Sequence, residues 1–225
     1  MKILAVETAT NVCGVALSDD NHLIAEYRLN HKNVHNEKLV SAIQCLTKDA
    51  KWGLEELNGI AVSIGPGSFT GLRIGITVCK GLAYILEIPL VAVNTLDALA
   101  YQAHLWSGHI CSVIKAREGE VYFALYKKSP EMFRRCSDYQ IILTKELSDF
   151  IKERTLIVSI PYKGLSTLTN NKVELAPPET SMIAPFTIAQ LGYIKFQKKE
   201  LEDLESLEPF YLKEFAPERK VYYGV

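Results

Sequence analysis

The sequence lacks most of the devices that would let a chain grip a phosphate, a metal or a disulfide partner. It has five cysteines (Cys13, Cys45, Cys79, Cys111 and Cys136), an odd number with no C-x-x-C pair. Their wide spacing and apolar neighbours fit a reducing cytosol, with buried thiols acting as small hydrophobes. Charge of one sign is missing too: the net charge is −1. That excludes an electrostatic case for binding nucleic acid unaided. Lys127, Lys128, Arg134 and Arg135 form the nearest basic cluster, and it reads, like the acidic run 200–208, as a solvated face. Neither H-E-x-x-H nor a Cys/His cluster occurs, and His31 and His35, followed by Glu37, fall where a strand ends before a helix can align them, so no metal site is expected. His22, His104 and His109 stand alone. We find no signal-peptide core and no 18-residue apolar span, so a cytoplasmic protein with no membrane partner is the expectation. Gly-Gly pairs are absent.

What is present is concentrated in one block, Gly65-Pro66-Gly67-Ser68-Phe69-Thr70-Gly71-Leu72-Arg73-Ile74-Gly75. A β-branched, apolar run, Ile60 to Ile64, leads in, and a long helical run to Leu86 leads out. Gly65 and Gly67 open backbone angles closed to other residues and Pro66 fixes one φ between them, so Gly65, Pro66, Gly67 and Ser68 form a structural turn. A strand, a glycine turn and a helix can bind an anion or press the helix against a neighbour. The spelling argues against the anion. A phosphate loop needs Gly-Lys-Ser/Thr, whereas Leu72 and Arg73 follow Gly71; a dinucleotide fingerprint needs glycine where Thr70 stands.

The helix after the turn favours packing. At about 100° per residue, Arg73, Thr77, Lys80 and Tyr84 fall on a narrow polar stripe and apolar residues take the rest. Gly71 and Gly75, one turn apart, lie in the apolar arc, where another backbone can come close. Such a helix is covered on more than one side, either by its own domain or by a second polypeptide.

The remainder reads as two passes of one order. Strands 2–7, 12–18 and 23–29 come first, the last two joined at Asp19-Asp20-Asn21. A helix from Asn36, a plausible N-cap, runs to Ala50 with Gly53 as its stop; strand 60–64, helix 70–86, strand 90–93 and a helix opened by Thr95 or Asp97 follow. The second pass starts near 110, with strands 110–115, 120–127 and 135–143, helix 144–154, strand 155–160, a poorly patterned stretch 163–183 and helix 184–199. A break at 103–109 divides the chain into lobes 1–104 and 105–225. This is the order of an α/β, two-lobed actin/Hsp70-like (ASKHA, ribonuclease H-like) fold with a reduced second lobe.

Three stretches carry a family resemblance: the start Ile3 to Thr10, the glycine block 65–75, and Ala116-Arg117-Glu118-Gly119-Glu120-Val121-Tyr122. With a closing Pro209-Phe210-Tyr211-Leu212-Lys213, they resemble the TsaB family of tRNA threonylcarbamoyladenosine biosynthesis proteins, relatives of the catalytic subunit TsaD. The resemblance implies a non-catalytic scaffold without cofactors that pairs with TsaD through the two N-terminal helices and homodimerises through them when alone. It also implies a TsaE-like ATPase docking on the pair, and contact with tRNA only through the complex. The interface residues it implies are Leu39, Ile43 and Leu46 on the first helix and Gly71, Arg73, Ile74, Gly75, Val78 and Leu82 on the second. Against the alternative, an autonomous ATP-dependent enzyme or peptidase of the same superfamily, stand three weakened elements. Glu7 occupies the place of a strand-end Asp, Lys115 replaces a second-lobe Asp, and paired glycines are missing.

Overall fold

Strands covered on both faces organise the molecule, whose computed structural model describes residues 1–31, 34–129, 133–160, 164–165 and 171–212. The first strand, β1 (Lys2–Glu7), sends Ile3 and Ala5 to one face and Leu4 and Val6 to the other, and all four are fully buried. Period-two alternation places them so, and covering both faces explains the nearly continuous apolar run. β2 (Val12–Asp19) and β3 (His22–Asn30) form a hairpin whose turn residues Asp20 and Asn21 have φ of 42° and 65°. Two left-handed residues match the twist of the flanking strands, and short polar side chains tolerate that conformation. β4 (Gly59–Gly65) and β5 (Leu90–Asn94) lie parallel to β1, giving the order β3-β2-β1-β4-β5. The crossover helices α1 (His35–Ala50) and α2 (Phe69–Leu86) cover one face of this sheet, and α3 (Thr95–Tyr101) leaves it towards the second.

The second sheet repeats the pattern. β6 (Gly108–Lys115) pairs antiparallel with β7 (Glu120–Lys128) and parallel with β10 (Thr155–Ser159), which pairs with β11 (Val173–Leu175). The third strand expected over 135–143 is broken into β8 (Phe133–Arg135) and β9 (Gln140–Leu143), both on β7. At the break Leu125 N donates to Ser137 Oγ (2.9 Å) and Cys136 N donates to Leu125 O (2.7 Å), so a hydroxyl replaces one ladder acceptor. The helix expected over 144–154 is only a 3₁₀ turn and α4 (Leu147–Phe150), because Leu147, Phe150 and Ile151 supply apolar contacts for a single turn. The stretch 163–183 contributes β11 and a 3₁₀ turn over Pro178–Ser181; positions 163 and 166–170 lie outside the described residues.

α5 (Pro185–Gln197) belongs to the second pass but packs on the first sheet, close enough that a Cβ on Gly192 would stand 2.5 Å from Ala61 Cβ. Together α3 and α5 fill the space between the sheets, where Ala5, Ala16 and Ala61 meet Ile110, Tyr126 and Val158 in one core. The chain then returns along the first sheet: Glu202 N donates to Leu90 O (2.9 Å), Leu207 is buried, and Phe210 N donates to Ile64 O (2.7 Å). The first sheet thus ends with β5 and the second opens with β6, while the C-terminal stretch returns to the first.

Both ends of α1 differ from expectation, whereas α3 opens at Thr95, one of its two expected starts. Val34, not Asn36, precedes α1, and Lys51 in the left-handed conformation (φ 57°) ends it, while Gly53 is at φ −74°. Asn94 caps α3, its Oδ1 accepting from Leu96 N at 2.9 Å. Finally, α2 is an 18-residue helix apolar enough to cross a membrane by length and composition, contrary to the expectation that no such span exists. Its polar stripe and its packing on the first sheet make it an amphipathic helix of the fold.

Candidate functional site

The glycine block is shaped by the loop after β1. Gly65 has φ of +112°, a region that disfavours a Cβ, and its peptide bond to Pro66 is cis. Gly67, Gly71 and Gly75 answer to closeness instead. A Cβ on Gly67 would lie 2.1 Å from Ala9 O, on Gly71 2.2 Å from Thr8 O, and on Gly75 2.1 Å from Thr8 Oγ1. The first turns of α2 thus rest directly on the backbone of Thr8 and Ala9. Ser68 N donates to Ala9 O (2.7 Å), Ser68 Oγ caps the helix by accepting from Gly71 N (3.2 Å), and Thr8 N donates to Ser63 Oγ (3.2 Å). The amides of Thr8, Ser68 and Gly71 are thus satisfied within the protein.

Glu7 sits at the same junction, fully buried, with Oε1 accepting from Ala9 N at 2.9 Å. Burial pushes its carboxyl up to about 7, against the pull of hydrogen bonds from Ser63, Ala9 and Thr10. It holds the loop rather than facing solvent. Lys115 at the end of β6 is exposed. His35 is buried with Nε2 3.1 Å from Val12 O, and no group of three His, Cys, Asp or Glu suited to a metal occurs among the described residues. Of the cysteines, Cys13, Cys79 and Cys111 are buried as expected, whereas Cys45 and Cys136 are exposed.

The residues expected at an interface divide sharply. Leu39, Ile43 and Leu46 face the sheet and are buried with Leu4, Val15 and Val62, and Gly71 and Gly75 are closed off by Thr8. These five are core of the chain's own lobe, since the apolar stripe of α1 is the one that covers the sheet. Ile74, Val78 and Leu82 are half-buried at the edge of that core. Arg73 is exposed, with its guanidinium 3.8 Å from the Phe69 ring centroid. Lys80, on the polar stripe, turns to the returning chain. Its Nζ donates to the carbonyls of Leu207 (3.2 Å) and Glu205 (3.4 Å), tying the returning C-terminal stretch to α2. What stays open is narrower than the sequence suggested: Tyr84 (77 % exposed), Ile85 (76 %) and Val40 (52 %), with Thr70, Thr77 and Gly81 of α2 also exposed. The sequence reading placed Tyr84 on the polar stripe and Ile85 in the apolar arc, and both stand open to solvent. A hollow of about 290 Å³ lies where both helices begin, lined by Asn11, His35, Asn36, Thr70 and Ile74.

Two sheets of one strand order, a helix from each lobe packed between them and a glycine turn against the first strand's loop define an ASKHA-type protein. Comparison with known proteins narrows the class. Residues 22–224 match the family model described as TsaD: tRNA N6-adenosine threonylcarbamoyltransferase. The chain is 30% identical over 227 residues, 98% of its length and 97% of the relative's, to the tRNA threonylcarbamoyladenosine biosynthesis protein TsaB of Bacillus subtilis. It is 35% identical to the protein of that name from Escherichia coli, over 65% of this chain and 64% of that one. Among solved structures it resembles YeaZ from Pseudomonas aeruginosa, with a TM-score of 0.80 at 25% identity over 94% of this chain and 99% of that one. The chain belongs to the TsaB (YeaZ) family.

Proposed function

We propose that this chain is a non-catalytic subunit of tRNA threonylcarbamoyladenosine biosynthesis, docking a TsaD-like catalytic subunit on the exposed strip of α1 and α2. The observation that carries this reading is the pair Tyr84 and Ile85, each about three-quarters exposed on an apolar helix, with Val40 exposed on α1. Large apolar groups gathered on one helix face gain most when a second protein removes them from water. The buried Glu7 and the internally bonded amides of the turn fit a subunit that leaves the chemistry to its partner. In this reading a TsaE-like ATPase joins the assembled pair, tRNA is met only through the complex, and the chain alone pairs with itself through the same strip.

Size-exclusion chromatography with light scattering tests it, on the chain alone and with a TsaD-like subunit. Ile85→Asp and Val40→Asp are the appropriate variants: both sites are exposed, so the fold survives while pairing is lost. Gly75→Glu would not serve, because any side chain there collides with Thr8. A chain that stays monomeric with and without the subunit, or that turns over ATP by itself, refutes the proposal.

A further inference from the structure

β3 closes the first sheet on one side: the order β3-β2-β1-β4-β5 gives it a single neighbour, and no strand lies beyond it among the described residues. The opposite edge differs, because the returning stretch runs past β5 and Glu202 N donates to Leu90 O. An outer strand keeps a row of backbone N–H and C=O groups turned away from its neighbour, ready to pair with another chain. Natural edges are guarded by lysine, proline, bulges or a covering element. β3 reads His22-Leu23-Ile24-Ala25-Glu26-Tyr27-Arg28-Leu29-Asn30, with neither lysine nor proline. Its one bulge falls at Ile24, the residue left over between the pairs Leu17–Ala25 and Ser18–Leu23, so the strand runs regular from Ala25 to Asn30. Leu23 (45 % exposed), Ile24 (46 %) and Tyr27 (36 %) stand open on this one strand. Met182, also open, lies beside it, its Sδ accepting from Asn30 Nδ2 at 3.3 Å.

The strand is complementary to itself. When two copies pair antiparallel, a two-fold axis through one residue brings together residues equally far on either side of it. With the axis at Tyr27, that ring meets its own copy, Ala25 meets Leu29 of the second copy, and Glu26 meets Arg28 of the second copy. An axis at Glu26 or Arg28 would set like charges directly opposite, which destabilises a strand pair, and an axis at Ala25 would set Glu26 against Ile24. Ala25, Tyr27 and Leu29 pair with Leu17, Val15 and Cys13 of β2 on the sheet face that α1 covers, so the Tyr27 register continues one apolar row across the axis. Glu26 and Arg28 lie 2.8 Å apart on the other face, where Glu26 also accepts from Phe186 N at 2.8 Å. We propose that β3 pairs antiparallel with β3 of a second copy about Tyr27, joining two five-stranded sheets into one. This surface shares no residue with the open strip of α1 and α2, so a chain occupied there keeps it free.

Sedimentation equilibrium on the full chain carrying Val40→Asp and Ile85→Asp, which disable that strip, tests this. A reversible dimer persists at about 100 µM, as weak as a small interface implies. Tyr27→Lys, at an open position, sets two ammonium groups face to face on the axis and weakens the dimer by about tenfold or more while the melting temperature holds. A thiol reads the register. In a chain with Cys45→Ser and Cys136→Ser, which remove the two exposed cysteines, Tyr27→Cys meets its own copy at about 4.5–5.5 Å between Cβ atoms and yields a disulfide-linked dimer under copper–phenanthroline oxidation. Ile24→Cys, also open but off the axis, yields none. A strip-disabled chain that is monomeric at every concentration overturns the proposal, as does a dimer indifferent to Tyr27→Lys or a cross-link formed as fast at position 24 as at 27. Tyr27→Lys weakening the pairing with a TsaD-like subunit, while the chain alone stays monomeric, gives the edge to that partner and overturns it as well. Self-pairing through the strip is read separately, as the difference between the parent and the strip-disabled chain.

Discussion

Replacing Glu7 by glutamine removes a charge that the fold holds at a cost. The carboxyl lies fully buried at the end of β1, and desolvation lifts it from 4.5 to about 7 in the folded protein. An acid whose folded value is raised binds its proton more tightly when folded, so stability is fullest at low pH and falls as pH climbs through the window from 4.5 to about 7. A difference of that size corresponds to about 3 kcal/mol, most of it lost between about pH 5 and pH 8. Glutamine keeps the shape and keeps an oxygen to accept from Ala9 N. Urea unfolding of the parent and Glu7→Gln, each at several pH values, reads the difference directly, since other titrating groups cancel between the two. Near pH 5 the two should be close in stability, and near pH 8 the variant should be more stable by about 2–3 kcal/mol. A difference independent of pH, or a variant less stable at high pH, refutes the assignment of a costly buried carboxylate to this position.

Gly71→Ala, which drives a Cβ to 2.2 Å from the Thr8 carbonyl oxygen, should destabilise by about 1–3 kcal/mol in urea unfolding, whereas Gly81→Ala, in open space, should be neutral or stabilising. Lys80→Met removes the donor to Glu205 and Leu207 and should cost about 1 kcal/mol, with limited proteolysis accelerating within the returning C-terminal stretch before elsewhere. A thiol reagent should modify Cys45 and Cys136 in the native protein and reach Cys13, Cys79 and Cys111 only on unfolding; burial raises the last three thiols and holds them neutral.

The repeated strand order was legible because its signals are local. Ile3 to Val6 is apolar on both faces, Asp20-Asn21 is a two-residue turn, and Gly119, with φ 75°, closes the matching hairpin of the second lobe. The failures share a different cause. The break between Arg135 and Gln140 depends on the Ser137 hydroxyl reaching a strand twelve residues back, and the end of α1 depends on a lysine accepting a left-handed conformation that composition does not announce. Neither is a pattern of residue types; each is a contact made only after the chain has folded.

The candidate site shows how such contacts redistribute a sequence signal. An apolar circumference on α2 proves that the helix is covered, and leaves open by what. The chain itself supplies three covers. The sheet takes Leu72, Ile76 and Cys79; the loop at Thr8 takes Gly71 and Gly75; the returning stretch, with Leu204 and Leu207, is fastened by Lys80. Only the last of these is unreadable from periodicity, because it arrives from more than a hundred positions away. Subtracting all three leaves Tyr84 and Ile85 beside half-buried Val78 and Ile74. A partner that depends on this helix must therefore find its affinity in that strip, and substitutions at Leu39, Ile43 or Leu46 would report on folding, whatever they did to pairing.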